Sequence, residues 1–353
     1  MSTPATFQFR TSMSKRFLLV GTGRMGMSHL RAARNLGLEL AGLCDLRPEN
    51  LEKAATEADV PPAKCFGSSQ AMFSANPHVD LVLIATTADS HRSLVEQAAA
   101  SGAKAILCEK PLATSVADCT AMIAACEKAG SLLAVNHQMR FMDQYTLVRH
   151  ELDSGRFGKL ASMNVVAGCF GMAMNGSHYC EAFRWLTGSD IVSATAWFSP
   201  GTLANPRGAQ FVDHAGEVRF ESADGRRLLM SIGADQGHGM TVTYAAQWGH
   251  LWVDELEGRY WATARKPEHQ ALPTTRYGMP WDRWETRFPQ ADNVGPTQAV
   301  IAALLQGQGY PDGQAGRCAV AAMVAAARSV ELGSRPVRLS ELGDYEHTRF
   351  PWA

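Results

Sequence analysis

From Lys15 onward the chain alternates short apolar runs with longer segments whose apolar residues recur at helical spacing. "FLLV" at 17–20 reads as a buried strand, "MSHLRAARNL" at 27–36 as a helix stopping at Gly37, and "LELAGLCD" at 38–45 as a second strand. The alternation continues through "DLVLIATTADSHRSLVEQAAASG" (80–102) and "KAILCEKPLATSVADCTAMIAACEKAGSLLAVNHQ" (104–138). Strands this apolar, each followed by an alanine-rich helical pattern, predict a parallel sheet covered on both faces.

After about His137 the pattern changes. "GKLASMNVVAGCF", "DIVSATAWF", "EVRFESADG", "RRLLMSIGA", "MTVTYAAQWG" and "HLWVDELEG" read as longer strands, with Ala223-Asp224-Gly225-Arg226 as a hairpin turn. They predict a large, mostly antiparallel sheet backed by a few helices. Alternation at Val242, Tyr244 and Ala246 suits either a core or an exposed contact face. Residues 273–293, "PTTRYGMPWDRWETRFPQADN", show no clear period, and their aromatic and arginine content suits a sugar ring or an interface.

Composition narrows this picture. At 353 residues, 46% apolar and 19% charged, the chain has enough interior for two domains. Lys+Arg (33) balances Asp+Glu (34), so nothing advertises nucleic acid or another polyanion as a partner. Eight cysteines are scattered without C-x-x-C spacing, which predicts reduced thiols, a cytoplasmic location and no metal site; His214, His238 and His250 also lack metal-ligand spacing. No apolar run approaches the roughly 18 residues needed to span a bilayer, so no membrane association is expected. The polar opening, residues 1–14, reads as a flexible tail, and Met13 offers a more natural start.

The chemistry begins at Gly21-Thr22-Gly23-Arg24-Met25-Gly26, a G-x-G-x-x-G turn between the first strand and helix. Gly21 permits the turn, Gly23 leaves room for a pyrophosphate against the backbone, and Gly26 lets helix and strand pack closely. The helix start supplies unpaired N–H groups to the phosphates. Asp45 follows at the distance, about 20 residues, that places a carboxylate on an adenosine ribose. It favours NAD, whereas Arg47 could pair with a 2′-phosphate, which leaves NADP open. Thr86-Thr87, Glu109-Lys110-Pro111 and Asn136-His137 fall at the carboxyl ends of later strands, where a cofactor would lie; His91 opens the next helix toward the same cleft. A lysine in that cleft should have its amine pKa lowered, and an X-Pro bond is the one common place for a cis peptide.

Together these segments resemble the Gfo/Idh/MocA family of sugar and inositol oxidoreductases. The resemblance runs from about Lys15 to the C-terminus: the glycine turn, Asp45, E-K-P at 109–111, "NHQMRF" at 136–141, "NGSHYCEAFRWLTG" at 175–188, and the late "PDGQAGRCAVAAMVAAARSVELGSRPVRL". It implies an α/β Rossmann domain (15–137), doubly wound on a parallel sheet, and an α+β domain (138–353) whose open antiparallel sheet mediates homodimer or homotetramer contacts. It also implies a cis peptide before Pro111, Lys110 and His178 as catalytic residues, and Glu109 against the nicotinamide ribose. The family's aspartate four residues before the histidine is Met174 here, and its later aspartate is Glu181. Asn175-Gly176-Ser177 predicts a helix starting near 177 with Ser177 as its N-cap, so Asn175 becomes the candidate replacement for the missing acid.

The resulting expectation is NAD(P)-dependent hydride transfer to or from a secondary alcohol of a sugar, cyclitol or sugar derivative. His178 is the first choice as base and Lys110 the group that binds the oxygen or relays the proton. Arg140, Asn175, His178 and Trp281 are the candidate substrate contacts. The competing readings are an NAD-dependent glycosidase on the same fold and a non-catalytic NAD-binding regulator.

Overall fold

The computed structural model describes residues 14–168, 171–203, 205, 207–273, 278–289 and 292–352. Met13 and nearly all of the expected tail lie outside the described residues, as do parts of the 273–293 segment.

The first unit is built from strands β1 (Arg16–Val20), β2 (Glu39–Cys44), β3 (Cys65–Phe66), β4 (Leu81–Ile84), β5 (Ala105–Cys108) and β6 (Leu132–Val135). Helices α1 (Arg24–Asn35), α2 (Pro48–Glu57), α3 (Ser69–Ala75), α4 (Ala88–Ala100) and α5 (Val116–Ala129) connect them. The strands pair in parallel in the order β3-β2-β1-β4-β5-β6. The order reverses between β1 and β4, so a crevice opens at the carboxyl ends of those two strands.

Both sheet faces are covered, which accounts for the continuous apolar runs. Phe17, Leu19, Leu81, Leu83 and Leu107 meet Leu30 and Ala33 of α1 on one side. Leu18, Val82, Ile84 and Ile106 meet Met72, Val95 and Met122 on the other.

The chain then runs through α6 (Asp143–Asp153), β7 (Leu160–Gly168), α7 (Met172–Thr187), β8 (Ile191–Phe198), β9 (Gly216–Ser222), β10 (Arg227–Gly233), β11 (Met240–Ala246), β12 (Gly249–Asp254), β13 (Arg259–Arg265) and β14 (Trp281–Arg287). Helices α8 (Val294–Gln306) and α9 (Gly313–Glu331) and strand β15 (Val337–Arg338) follow. The nine strands form one sheet in the order β14-β13-β12-β11-β7-β10-β9-β8-β15. Its neighbours are antiparallel except β7 and β10. The expected hairpin is present: Ser222 N–H donates to the Arg226 carbonyl at 2.9 Å.

Val242 and Tyr244 face inward and are buried, so their alternation is core packing. The opposite face leaves Val166, Trp197 and Leu229 exposed. The aperiodic segment contains β14, whose residues are exposed on both faces apart from half-buried Trp284, which is why its sequence shows no strand alternation.

The C-terminal portion returns to the first unit. Val300, Ile301 and Leu304 of α8 join the core on the α1 side of the parallel sheet. Val135 N–H donates to the Pro311 carbonyl at 2.8 Å. At the end of the chain, Phe350 N–H donates to the Thr114 carbonyl at 2.9 Å and the Pro351 carbonyl accepts from Val212 N–H at 2.8 Å. This terminal strap ties the loop after β5 to the segment before β9.

Candidate active site

The turn from β1 into α1 has the geometry its glycines require. Gly21 sits at φ +88°, and a Cβ there would lie 2.7 Å from the Ala85 carbonyl oxygen. A Cβ on Gly26 would lie 2.0 Å from the Gly21 carbonyl oxygen, whereas one on Gly23 would meet nothing within 4 Å. That open space faces the start of α1, which has no side-chain cap and no acid in its first turn. The amides of Arg24, Met25 and Gly26 are thus left for a phosphate group. The residues present fit a dinucleotide.

Asp45 closes the adjacent strand. One carboxylate oxygen accepts from Thr22 N–H and Thr22 Oγ1, both at 2.9 Å, and the other accepts from Arg47 N–H at 2.9 Å. The oxygen facing Arg47 accepts only that one hydrogen bond and keeps a further lone pair for a ribose hydroxyl. The Arg47 guanidinium is largely exposed, its Nε 4.0 Å from Asp45.

At the end of β5, Glu109 is buried. Its Oε1 lies 2.8 Å from His29 Nε2 and accepts from Asn136 Nδ2 at 2.8 Å. Burial pushes this carboxyl up, but the hydrogen bond and charge of His29, with Lys110 and Asn136, outweigh it and hold the pKa well below the usual range. Asn136 also reaches Thr297 of α8 at 3.3 Å. Glu109 and Asn136, expected as direct cofactor contacts, form an internal network that fixes the carboxyl ends of β5 and β6.

The Lys110–Pro111 peptide is cis, as expected. Lys110 Nζ donates to the Met174 carbonyl at 2.5 Å, which joins the E-K-P turn to α7. Burial lowers the Lys110 pKa to about 8; Glu109 and Asp213 act to raise it, and Arg207 and Arg24 to lower it.

The start of α7 differs from expectation. The helix begins at Met172, with Gly171 as N-cap, and Ser177 lies inside it, fully buried. The reason is remote: the Asp213 carboxylate accepts from the Ala173 and Met174 N–H groups, each at 2.8 Å. A cap supplied from 40 residues away has no local signature. Positions 174 and 178 therefore share one helical face.

His178 is buried, and its ring stands 5.4 Å from that of His137 in a T-shaped arrangement. Burial, then the charge of Lys110, lowers both pKa values, that of His137 to about 3. Both rings are consequently neutral at pH 7. Neither nitrogen of His137, nor His178 Nδ1, has a hydrogen-bond partner among the described residues.

Thr86 stands at the carboxyl end of β4, its Oγ1 accepting from Ser90 Oγ at 2.7 Å. His91 points inward: Nδ1 is 3.1 Å from the Pro111 and Leu112 carbonyls, and Nε2 is 3.2 Å from the Thr86 carbonyl. It braces the turn rather than lining the cleft. Arg140 is likewise buried, ion-paired with Glu181, with its Nη1 3.4 Å from the Gly309 carbonyl. This pairing removes it from the role of substrate anchor. Trp281 lies on the far edge strand, with β13, β12, β11 and β7 between it and the strand beneath α7. Asn175 stays near the site, half-buried in the first turns of α7.

Three further residues complete the arrangement, of which the sequence placed only His137 at the ligand edge and gave it no role. His29 lies inside an ordinary helical pattern, and its position one turn beyond Gly26 was the only clue. His137 adjoins Asn136 at a strand end, and Asp213 has no motif around it. Among the described residues, no group of three or more His, Cys, Asp or Glu side chains is arranged to hold a metal ion. No described helix is long and apolar enough to cross a membrane.

Comparison with known proteins agrees with this geometry. Residues 15–137 match the model of an oxidoreductase family with an NAD-binding Rossmann fold, GFO_IDH_MocA. D-apiose dehydrogenase of Paraburkholderia graminis is 42% identical over 328 residues, covering 84% of this chain and 83% of that protein. Inositol 2-dehydrogenase of Serratia proteamaculans is 27% identical over 89% of this chain and 94% of its own. An Agrobacterium radiobacter oxidoreductase, solved with NAD+, L-tartaric acid and magnesium, superposes with a TM-score of 0.74 at 21% identity, covering 93% of this chain and 99% of that one. With its glycine turn, terminal acid and E-K-P turn in place, the chain belongs to the Gfo/Idh/MocA family of NAD-binding oxidoreductases.

Proposed function

We propose that this chain catalyses reversible hydride transfer between NAD and a secondary alcohol or ketone of a sugar or cyclitol, with Lys110 and His178 managing the proton. The observation that carries the reading is the tie from Lys110 Nζ to Met174, which brings the lysine onto the helix that bears His178. The D-apiose and inositol dehydrogenases among the relatives support a polyhydroxylated substrate.

NAD, when bound, supplies the hydride acceptor, and the chain's residues manage position and charge. Glu109, His29 and Asn136 hold the E-K-P turn rigid. Lys110 as an ammonium binds the substrate oxygen. His178, which burial keeps neutral, accepts the hydroxyl proton during oxidation and returns it during reduction. His137 and Asn175 are the proposed contacts to neighbouring hydroxyls.

Lys110→Ala and His178→Ala should each retain NADH binding, read by fluorescence titration, yet lose turnover by about 100-fold or more. A substrate panel led by D-apiose and myo-inositol, followed at the reduced-nicotinamide absorbance, is the assay; near-normal turnover in both variants would falsify the assignment. The reductive rate should fall as pH rises through about 8, because Lys110 loses the proton that polarises the carbonyl. Cofactor-retaining cleavage of a glycoside without net reduction would indicate the glycosidase reading.

The exposed apolar residues Val166, Trp197 and Leu229 support a homo-oligomer formed through the outer face of the large sheet. Seven of the cysteines are free thiols, which fits a reducing, cytoplasmic setting.

A further inference from the structure

The segment between β8 and β9 contributes a carboxylate that neither the glycine turn, the E-K-P turn nor α7 encodes. Asp213 is 3% exposed, and both of its oxygens are engaged at the start of α7. Its Oδ1 also accepts from its neighbour His214 N–H at 3.0 Å. The adjoining backbone is fixed on both sides: Leu203 N–H donates to the Asp213 carbonyl at 3.0 Å, and Met172 N–H donates to the His214 carbonyl at 3.0 Å.

The fit is tight enough to dictate a neighbouring residue. A Cβ on Gly171 would lie 2.0 Å from the Asp213 carboxyl carbon and from Oδ2, so only glycine leaves room. The residue whose N–H meets Oδ2, Met174, is the same residue whose carbonyl receives Lys110 Nζ. A single helical residue thus links the carboxylate to the lysine.

We propose that Asp213 is a positioning residue for the reaction: by capping α7 and holding Met174, it fixes the carbonyl that orients the Lys110 ammonium and keeps that ammonium charged. The cap also sets where α7 starts, and with it the direction in which His178 enters the site. Three observations agree. Asp213 is buried with no ion-pair partner among the described residues, its two oxygens are committed to backbone donors, and its charge acts on Lys110 in the direction that retains the proton. A buried carboxylate stabilised only by amides is costly to maintain, and an apolar cap would leave those amides unmet instead.

The inference rests on the proposed role of Lys110, and its test does not depend on turnover. The rate at which trace acetic anhydride labels Lys110 in the NADH-bound enzyme, read by peptide mass spectrometry across pH, reports the lysine's titration midpoint. Lys64, on the protein surface, is the internal reference. Asp213→Asn keeps the shape but removes the charge, and it should lower the Lys110 midpoint by about half a unit or more while the Lys64 midpoint stays put. Asp213→Glu should leave the midpoint near the wild-type value if the cap re-forms. Gly171→Ala displaces the carboxylate without altering it and should shift the midpoint in the same direction; it decides the matter if Asp213→Asn does not fold. An unchanged Lys110 midpoint in the folded variant, with only the melting temperature lowered, would reduce Asp213 to a structural helix cap and overturn the proposal. A normal midpoint shift in an enzyme that oxidises no sugar would leave this inference standing and sink the functional reading.

Discussion

Gly26 shows how a single absent side chain decides binding. Its Cβ would lie 2.0 Å from a backbone oxygen that has nowhere to move, so Gly26→Ala must displace the start of α1 from the turn that precedes it. The expected outcome is at least a tenfold loss of NADH affinity, measured by fluorescence titration, with the second unit's near-ultraviolet circular dichroism retained. Residues of this kind were legible because a tight turn and a terminal acid follow fixed spacing. His29 and Asp213 were not, since each acquires its place from groups far away in sequence. Arg140 and His91 were read as facing a ligand because a charged or titratable residue near a strand end commonly does. Here Glu181 and three backbone carbonyls, which no local pattern reveals, had already engaged them.

Among the elements, α7 is the one whose position matters most, and it is held at two places. Asp213 fixes its start, and further along Tyr179 shares the buried Glu255 carboxyl, just after β12, with Tyr145 of α6. Burial raises the Glu255 pKa to about 7, against the two tyrosine hydrogen bonds that act to lower it. The folded state therefore holds this proton more tightly than the unfolded chain does. Stability from this group is complete below about pH 4.5 and is lost as pH rises toward 7. Glu255→Gln should remove that dependence: unfolding free energies from denaturant titration should match the wild type near pH 4.5 and exceed it at pH 8, by on the order of 3 kcal/mol at most. A wild-type stability that is flat over the same window would rule this out. Strands β1, β2, β4, β5 and β6 were legible because each is a short, mostly apolar run, whereas the two-residue β3 carries no such run. The start of α7 was misplaced because asparagine, glycine and serine at 175–177 imitate a cap that a distant carboxylate had already supplied.

At the scale of the whole molecule, two sheets share one continuous interior, and α8 crosses back to finish the core of the first. The two kinds of sheet were readable from the switch in periodicity, while the return of α8 was not, because an apolar helix does not state which sheet it covers. The outer face of the large sheet leaves Leu229 and Val166 on adjacent strands with Trp197 nearby. Leu229→Asp should shift the sedimentation coefficient toward that of a monomer while leaving NADH binding intact. An unchanged coefficient would direct the search for a subunit contact to another surface.

The strap formed by Phe350 and Pro351 gives this architecture a temporal order. It ties the loop that follows Lys110 to the residue just before Asp213. During synthesis the core beneath the nucleotide-binding turn gains its last packing partner, α8, only after the second sheet has been made. The hydrogen bonds of the strap come later still. Both sides of the cleft are therefore completed late, by segments that return to them from the C-terminal portion of the chain.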